Sequence, residues 1–258
     1  MHCEIPDMRA LSNILSGLAP MLAILLLWQV VTAAGLFPPQ VLVSPAAVVR
    51  AFLQTLDGGE LATHLADSLT RLLTGYAIGA VLGLAFGSAM AVSRLFDTAF
   101  GPLFQALRQV PVLAFLPMLV LLLGIEEQFK ITVVALACFF PVALAACDGV
   151  RDVPRRHFEV ARLYRVPLPV FVWRILLPAA LPAILTGLRL GLTRAWLVLV
   201  ACELLAADSG IGQMMEMGRQ MFRIDVVLVG VFVSGLVGFI LDRSVKLIEK
   251  RATRWKEA

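Results

Sequence analysis

Arg189, Arg194 and Glu203 stand inside one apolar run, 183–207, and no other residues in the chain so clearly need a chemical explanation. An ionisable group at mid-membrane depth costs on the order of 3 kcal/mol, so it must face a cavity, a partner or the interface. Arg189 lies near one end of the run, where its long side chain can snorkel to water. Arg194 is deeper and cannot shed its proton. Two readings stay open for it: a lining of a translocation pathway, where it would attract anions, or a structural pair. Glu203 follows nine residues later, about 180° around the helix, so the two do not pair within it. Covalent chemistry has little to work with. His2, His64 and His157 are scattered outside the apolar runs, so no nucleophile–base set forms. Cys3, Cys138, Cys147 and Cys202 show no CxxC or metal spacing, and the last three read as small buried hydrophobes. The lysines are followed by Ile131, Leu247, Arg251 and Glu257, so there is no Gly-Lys-Ser/Thr phosphate loop.

The elements that must carry these charges are membrane helices. Of 258 residues, 60% are hydrophobic and only 16% charged, against about 25% in a soluble domain. The mean hydropathy is +0.88. This excludes a disordered chain, a coiled coil and an ordinary water-soluble enzyme. The net charge, 22 − 18 = +4, is too small and too spread for a nucleic-acid partner. The chain reads as one all-α integral membrane domain, 1–258. Six stretches approach the roughly 20 residues that cross a bilayer: 18–37, 72–93, 110–125, 131–147, 183–207 and 224–241. The first is an uncleaved anchor rather than a signal peptide. Glycines at 75, 79, 83 and 87 make a stripe in the second, which predicts close helix packing. Connections on one side hold 15 Lys and Arg, those on the other hold 5, so both termini are expected in the cytoplasm.

The connections differ in character. On the outer side, Ser44 and Pro45 predict a helix start, with Val49, Phe52, Leu53 and Leu56 on one face of a short interfacial helix. A second amphipathic stretch, 213–222, follows the turn signal Asp208-Ser209-Gly210-Ile211-Gly212 and also reads as interfacial. The basic tail 243–256 would be held near the anionic inner leaflet. Most informative is the cytoplasmic connection 148–181, which is arginine-rich and too long for a simple turn. Pro154 opens a helix through Glu159, Ala161 and Arg162, and Pro167 and Pro169 interrupt it. A second short helix, 170–177, then presents Phe171, Trp173 and Ile175 before Pro178 and Pro182 break the chain. Two short helices at an angle make a rigid knob that combines charge with apolar anchors, as docking into a partner's groove requires.

These residues resemble a family. Glu159-Val160-Ala161, Arg165, and Ile175-Leu176-Leu177-Pro178 keep the spacing Glu-Ala-Ala, three residues, Gly, nine residues, Ile-x-Leu-Pro of the membrane subunits of bacterial ABC importers, with Val160 and Arg165 as departures. Ser68-Leu69-x-Arg71, Gln105-Ala106-Leu107-Arg108-Gln109-Val110-Pro111, Gly187-Leu188-Arg189, Glu203-Leu204-Leu205 and Ser209–Gly212 look like the nitrate, sulfonate, taurine and bicarbonate branch. That branch also carries thiamine precursors and other small organic solutes. The resemblance implies the type I importer permease fold, a second permease copy, two cytoplasmic ATPase subunits that bind ATP and Mg, and a periplasmic or lipid-anchored solute-binding protein. It implies that Glu159, Ala161, Arg162, Arg165, Ile175, Leu177 and Pro178 form the ATPase-coupling loop. The chain itself is expected to bind no cofactor or metal. Because Arg165 replaces a glycine that adopts φ > 0 cheaply, the prolines at 167 and 169 are expected to make the turn instead.

Two other classes compete. An ion-coupled secondary transporter would show repeated halves and membrane carboxylates, but only Glu203 is well embedded and no internal repeat is evident. An intramembrane enzyme lacks its nucleophile and base.

Overall fold

The computed structural model describes residues 8–38 and 41–253. Every regular element among them is helical: α1 Met8–Ala33, α2 Pro45–Asp57, α3 Glu60–Val92, α4 Arg94–Leu107, a 3-10 turn Val112–Phe115, α5 Leu116–Leu123, α6 Glu127–Arg151, α7 Arg155–Leu163, α8 Leu168–Phe171, α9 Leu177–Ala206, α10 Ile211–Gln220 and α11 Ile224–Ala252. By length and composition α3, α6, the run Leu168–Ala206 and α11 can each cross a membrane; α4 and the 112–123 segment add a fifth crossing if the bent pair counts as one. The first expected span corresponds to α1, which runs over 26 residues.

The centre of the bundle is α6, held between α3 and α9 by missing side chains. Gly75, Gly79, Gly83 and Gly87 of α3 all face it: a Cβ on Gly75 would sit 2.7 Å from Val134 Cβ, and one on Gly87 would fall on the Ala143 carbonyl oxygen. From the other side Gly187 and Gly191 of α9 face Ala145 and Val142. Leu72, Val134, Cys138, Val142, Leu192 and Trp196 fill the space between the three helices. As expected, Cys138, Cys147 and Cys202 are buried free thiols, and Cys3 lies outside the described residues. Large apolar side chains such as Leu121, Leu205 and Phe239 point outward instead. That pattern suits a hydrocarbon solvent, in which packing rather than apolar burial joins helices.

The same outward pattern holds in α2. Ser44 caps it as predicted, its hydroxyl accepting from the Ala47 N–H at 3.3 Å with Pro45 in the first turn. The strongly apolar face, Val49, Phe52, Leu53 and Leu56, is however the exposed one, and the smaller Val48, Ala51 and Thr55 pack inward. The stretch after Gly212 packs one face into the bundle. Ile211, Met214 and Met215 of α10 are buried, and Met215 lies against Gly230 of α11.

The connection between the second and third expected spans is itself helical. Ser93 caps α4 by accepting from the Phe96 N–H at 3.2 Å. Phe96, Phe100 and Phe104 then stack around Phe86 of α3, with Phe86–Phe96 centroids 5.2 Å apart. The helix breaks at 108–111 and bends by 91° into the 112–123 segment. Pro111 is the cause: it pushes the residue before it out of the helical region and supplies no N–H.

The connection 148–181 departs from expectation twice. First, Arg165 does adopt a left-handed conformation, with φ 48°. The Val166 N–H donates to Ala161 O at 2.9 Å and the Arg165 N–H to Arg162 O at 3.2 Å, so a Schellman closure of α7 satisfies two carbonyls. That gain offsets the cost of about 1–2 kcal/mol that a side chain meets there. Pro167 and Pro169 instead cap and open α8. Second, Pro178 and Pro182 do not break the chain: both lie in α9, Pro178 in its first turn. A π-turn over Val172–Leu176 lengthens the hydrogen-bond register just ahead of Pro178, and α8 runs on into α9.

Candidate functional site

The expected site residues fall into three places. Glu203, on α9, is 1% exposed and lies at the hub of a polar cluster. Both its oxygens accept from the Ser68 hydroxyl at 2.9 and 2.8 Å, and one accepts from Arg71 Nη1 at 2.9 Å. The Gly212 N–H donates to the other at 3.1 Å. Arg71, 4% exposed, also donates to the Ser209 carbonyl and hydroxyl at 2.6 Å each, and forks onto Glu127 with two bonds of 2.7 Å. Lys130, buried, donates to Glu127 at 3.0 Å. Two cations and two anions thereby balance, and α3, α6, α9 and the turn into α10 are pinned together.

The turn is built for this contact. Gly210 has φ 112°, and a Cβ there would strike the Glu203 carboxylate. Its N–H donates to His64 Nδ1 at 3.0 Å, and the Ile211 N–H donates to the Ser68 hydroxyl at 2.9 Å. The partners of Glu203 lay beyond the sequence reasoning, which placed Arg71 and Lys130 in outer connections. A signal was available: an acid at one end of a span needs a cation at the same depth, and Arg71 and Lys130 flank the ends of two other spans expected on that same side.

Arg189 also has partners. It forks onto Asp242 of α11 at 2.6 and 3.1 Å and reaches Glu249 at 3.6 Å, and Thr186 donates to that same Glu249 at 2.7 Å. Its guanidinium ties α9 to α11 rather than reaching for the interface. Arg194, near the midpoint of α9, meets no carboxylate among the described residues and lines a cavity with Arg108, Gln109 and Phe140.

The third place is the elbow of α7 and α8. Phe158 and Phe171 pack at 5.0 Å between ring centroids and fix the angle of the two helices. Ala161 is buried beneath them, while Glu159, Arg162, Arg165 and Leu177 are exposed, and Ile175 and Pro178 are half-buried. Tyr164, Leu168 and Trp173 stand out from the elbow, each more than two-thirds exposed. Glu159 has no ion pair among the described residues. The elbow therefore offers a carboxylate, arginines and large apolar side chains on one rigid support.

A helical bundle with several apolar helices, a broken crossing and an exposed elbow has the build of a polytopic membrane protein. The chain belongs to the family of binding-protein-dependent transport system inner membrane components, whose model matches residues 75–254. It is 36% identical over 244 residues to a Bacillus subtilis protein named as an aliphatic sulfonates transport permease, covering 95% of this chain and 88% of that one. It is also 36% identical over 241 residues to the Escherichia coli taurine transport system permease, covering 91% and 87% respectively. Among solved structures, an amino acid ABC transporter matches with a TM-score of 0.64 at 15% identity, over 78% of this chain and 98% of that one. The fold is that of the type I ABC importer permeases. A family of inner-membrane components and several apolar helices make this a multi-pass membrane protein.

Proposed function

We propose that this chain is the permease subunit of an ATP-driven importer for small oxyanions, with aliphatic sulfonates and taurine as its first substrate class. The observation that carries the reading is its identity of 36% to one relative named for aliphatic sulfonates and one named for taurine, across more than nine-tenths of its length. The chain works as a homodimer on two cytoplasmic ATPase subunits, which bind ATP and Mg, and receives solute from an external binding protein. Both termini face the cytoplasm. Glu159, Ala161, Arg162, Arg165, Ile175, Leu177 and Pro178 form the contact that transmits closure of the ATPases to the bundle. An elbow whose angle is locked by the Phe158–Phe171 contact suits that task, because a soft support would absorb the movement.

The test is reconstitution of the permease with its ATPase and binding protein in vesicles. ATP-dependent accumulation of labelled taurine or ethanesulfonate is expected. Glu159→Lys should insert normally yet fail to co-purify with the ATPase. If the wild-type permease captures no ATPase, the importer reading is wrong; if uptake occurs only for uncharged solutes, the substrate class is wrong.

A further inference from the structure

Arg71, Arg151 and Arg189 each meet a carboxylate, at distances of 2.6 to 2.9 Å. Arg108, half-buried, and Arg194, exposed on the face of the bundle, meet none among the described residues, and both line the same open cavity. A guanidinium cannot neutralise itself, so inside a membrane bundle an unpaired one requires water or an anion. The Nε–H of Arg108 is moreover buried without any acceptor.

The backbone points to the same place. Arg108 caps α4 at the break between α4 and the 112–123 segment. The depth of that break follows from what flanks it. Asp97, near the start of α4, pairs with Arg151 at the elbow end of α6, at 2.7 Å. Leu116 and Leu119 of α5 pack with Phe129 and Cys202, at the far ends of α6 and α9. The break therefore lies near mid-depth, level with Arg194. Irregular backbone at that depth is tolerated where it is buried in protein or lines a wet cavity.

Two cavities adjoin there. One, of about 240 Å³, is mainly polar, walled by Arg108, Gln109 and Arg194 with Pro141. The other, of about 320 Å³, shares both arginines but is walled largely by Val112, Leu113, Leu197 and Val198.

We propose that Arg108, Gln109 and Arg194 form an intramembrane binding site for a small oxyanion that carries a short apolar tail. The two guanidinium forks and the carboxamide donate to the oxygens of the head, and the adjoining apolar cavity takes the tail. Guanidinium suits this because its planar fork matches the spacing of oxyanion oxygens, whereas an ammonium offers only a point charge. The site deepens the importer reading, on which it rests for the direction and driving of transport, by naming the residues that meet the solute. Weak binding is what such a site needs, since the solute must also leave.

The test reads the site without transport. Leu197→Cys places a thiol in the apolar wall of a chain in which Cys3 is replaced by Ser, and the native Cys138, Cys147 and Cys202 are buried and serve as the unreactive background. In the purified permease, a sulfonate-bearing thiosulfonate should modify that thiol about tenfold faster, relative to its trimethylammonium counterpart, than it does a free thiol. Methanesulfonate should slow the modification and dimethyl sulfone, its neutral analogue, should not. Arg108→Gln or Arg194→Gln should each remove both effects, and the Lys variants should retain the charge preference while losing most of the protection. In reconstituted vesicles the Gln variants should lower taurine uptake about tenfold or more. An unaltered charge preference in both Gln variants, or equal protection by sulfonate and sulfone, would overturn the site. Absence of ATP-dependent uptake in the unmodified permease would instead fault the importer reading, and the modification rates would still judge the site.

Discussion

Arg71 and Glu203, 132 residues apart in the chain, meet at 2.9 Å in a pocket where both are almost fully buried. Around them Ser68, Ser209, Gly212 and Glu127 occupy the remaining donors and acceptors. Breaking one partner of a buried pair leaves an uncompensated charge and costs about 3–5 kcal/mol, more than the pair itself contributes. Arg71→Met should therefore lower the thermal midpoint of the purified permease sharply. Arg71→Met with Glu203→Met together should recover part of that loss, and simple additivity of the two would show that the groups are not coupled.

The contact between α3 and α6 depends on absent side chains. At Gly87 a Cβ would meet the Ala143 backbone, which cannot rotate aside, whereas a Cβ on Gly235 of α11 meets nothing within 4 Å. Gly87→Ala should reduce the yield of monodisperse protein several-fold, by forcing the helices apart, and Gly235→Ala should leave it unchanged. Equal behaviour of the two on size-exclusion chromatography would contradict the packing.

Arg165 holds a left-handed conformation that glycine adopts without penalty. Arg165→Gly should stabilise the Schellman closure of α7, by up to about 1 kcal/mol. Exchange of the Val166 amide, which donates to Ala161 O, is the direct reading, and it should slow by up to about fivefold. Faster exchange in the glycine variant would mean that the arginine side chain itself holds the turn.

The bias of arginine and lysine among the connections predicts the orientation. A cysteine at Arg156, in α7, should be shielded from an impermeant reagent added to intact cells, and one at Gly59, between α2 and α3, should react. Labelling of the 156 position from outside would invert the arrangement and move the elbow away from any cytoplasmic ATPase.

Local features of this chain were legible one residue at a time. The glycines at 75, 79, 83 and 87 recur every four residues, so they must share a helix face, and that face meets α6. Ser44 followed by Pro45 marks a helix start whatever the surroundings, and α2 begins there. The spacing from Glu159 to Pro178 survives two substitutions, because spacing along a chain needs no knowledge of its partners. Partnership itself was not legible. Arg71 and Lys130 counted as outer-connection charges, Arg108 as an inner one, yet Arg71 and Lys130 are buried against carboxylates and Arg108 lines a cavity at a helix break. Arg189 finds Asp242, 53 residues away, and Arg194 finds no acid at all among the described residues. A periodic pattern says which way a side chain points on its own helix. What stands opposite depends on how helices distant in sequence pack, and so the third dimension settles which charges are matched.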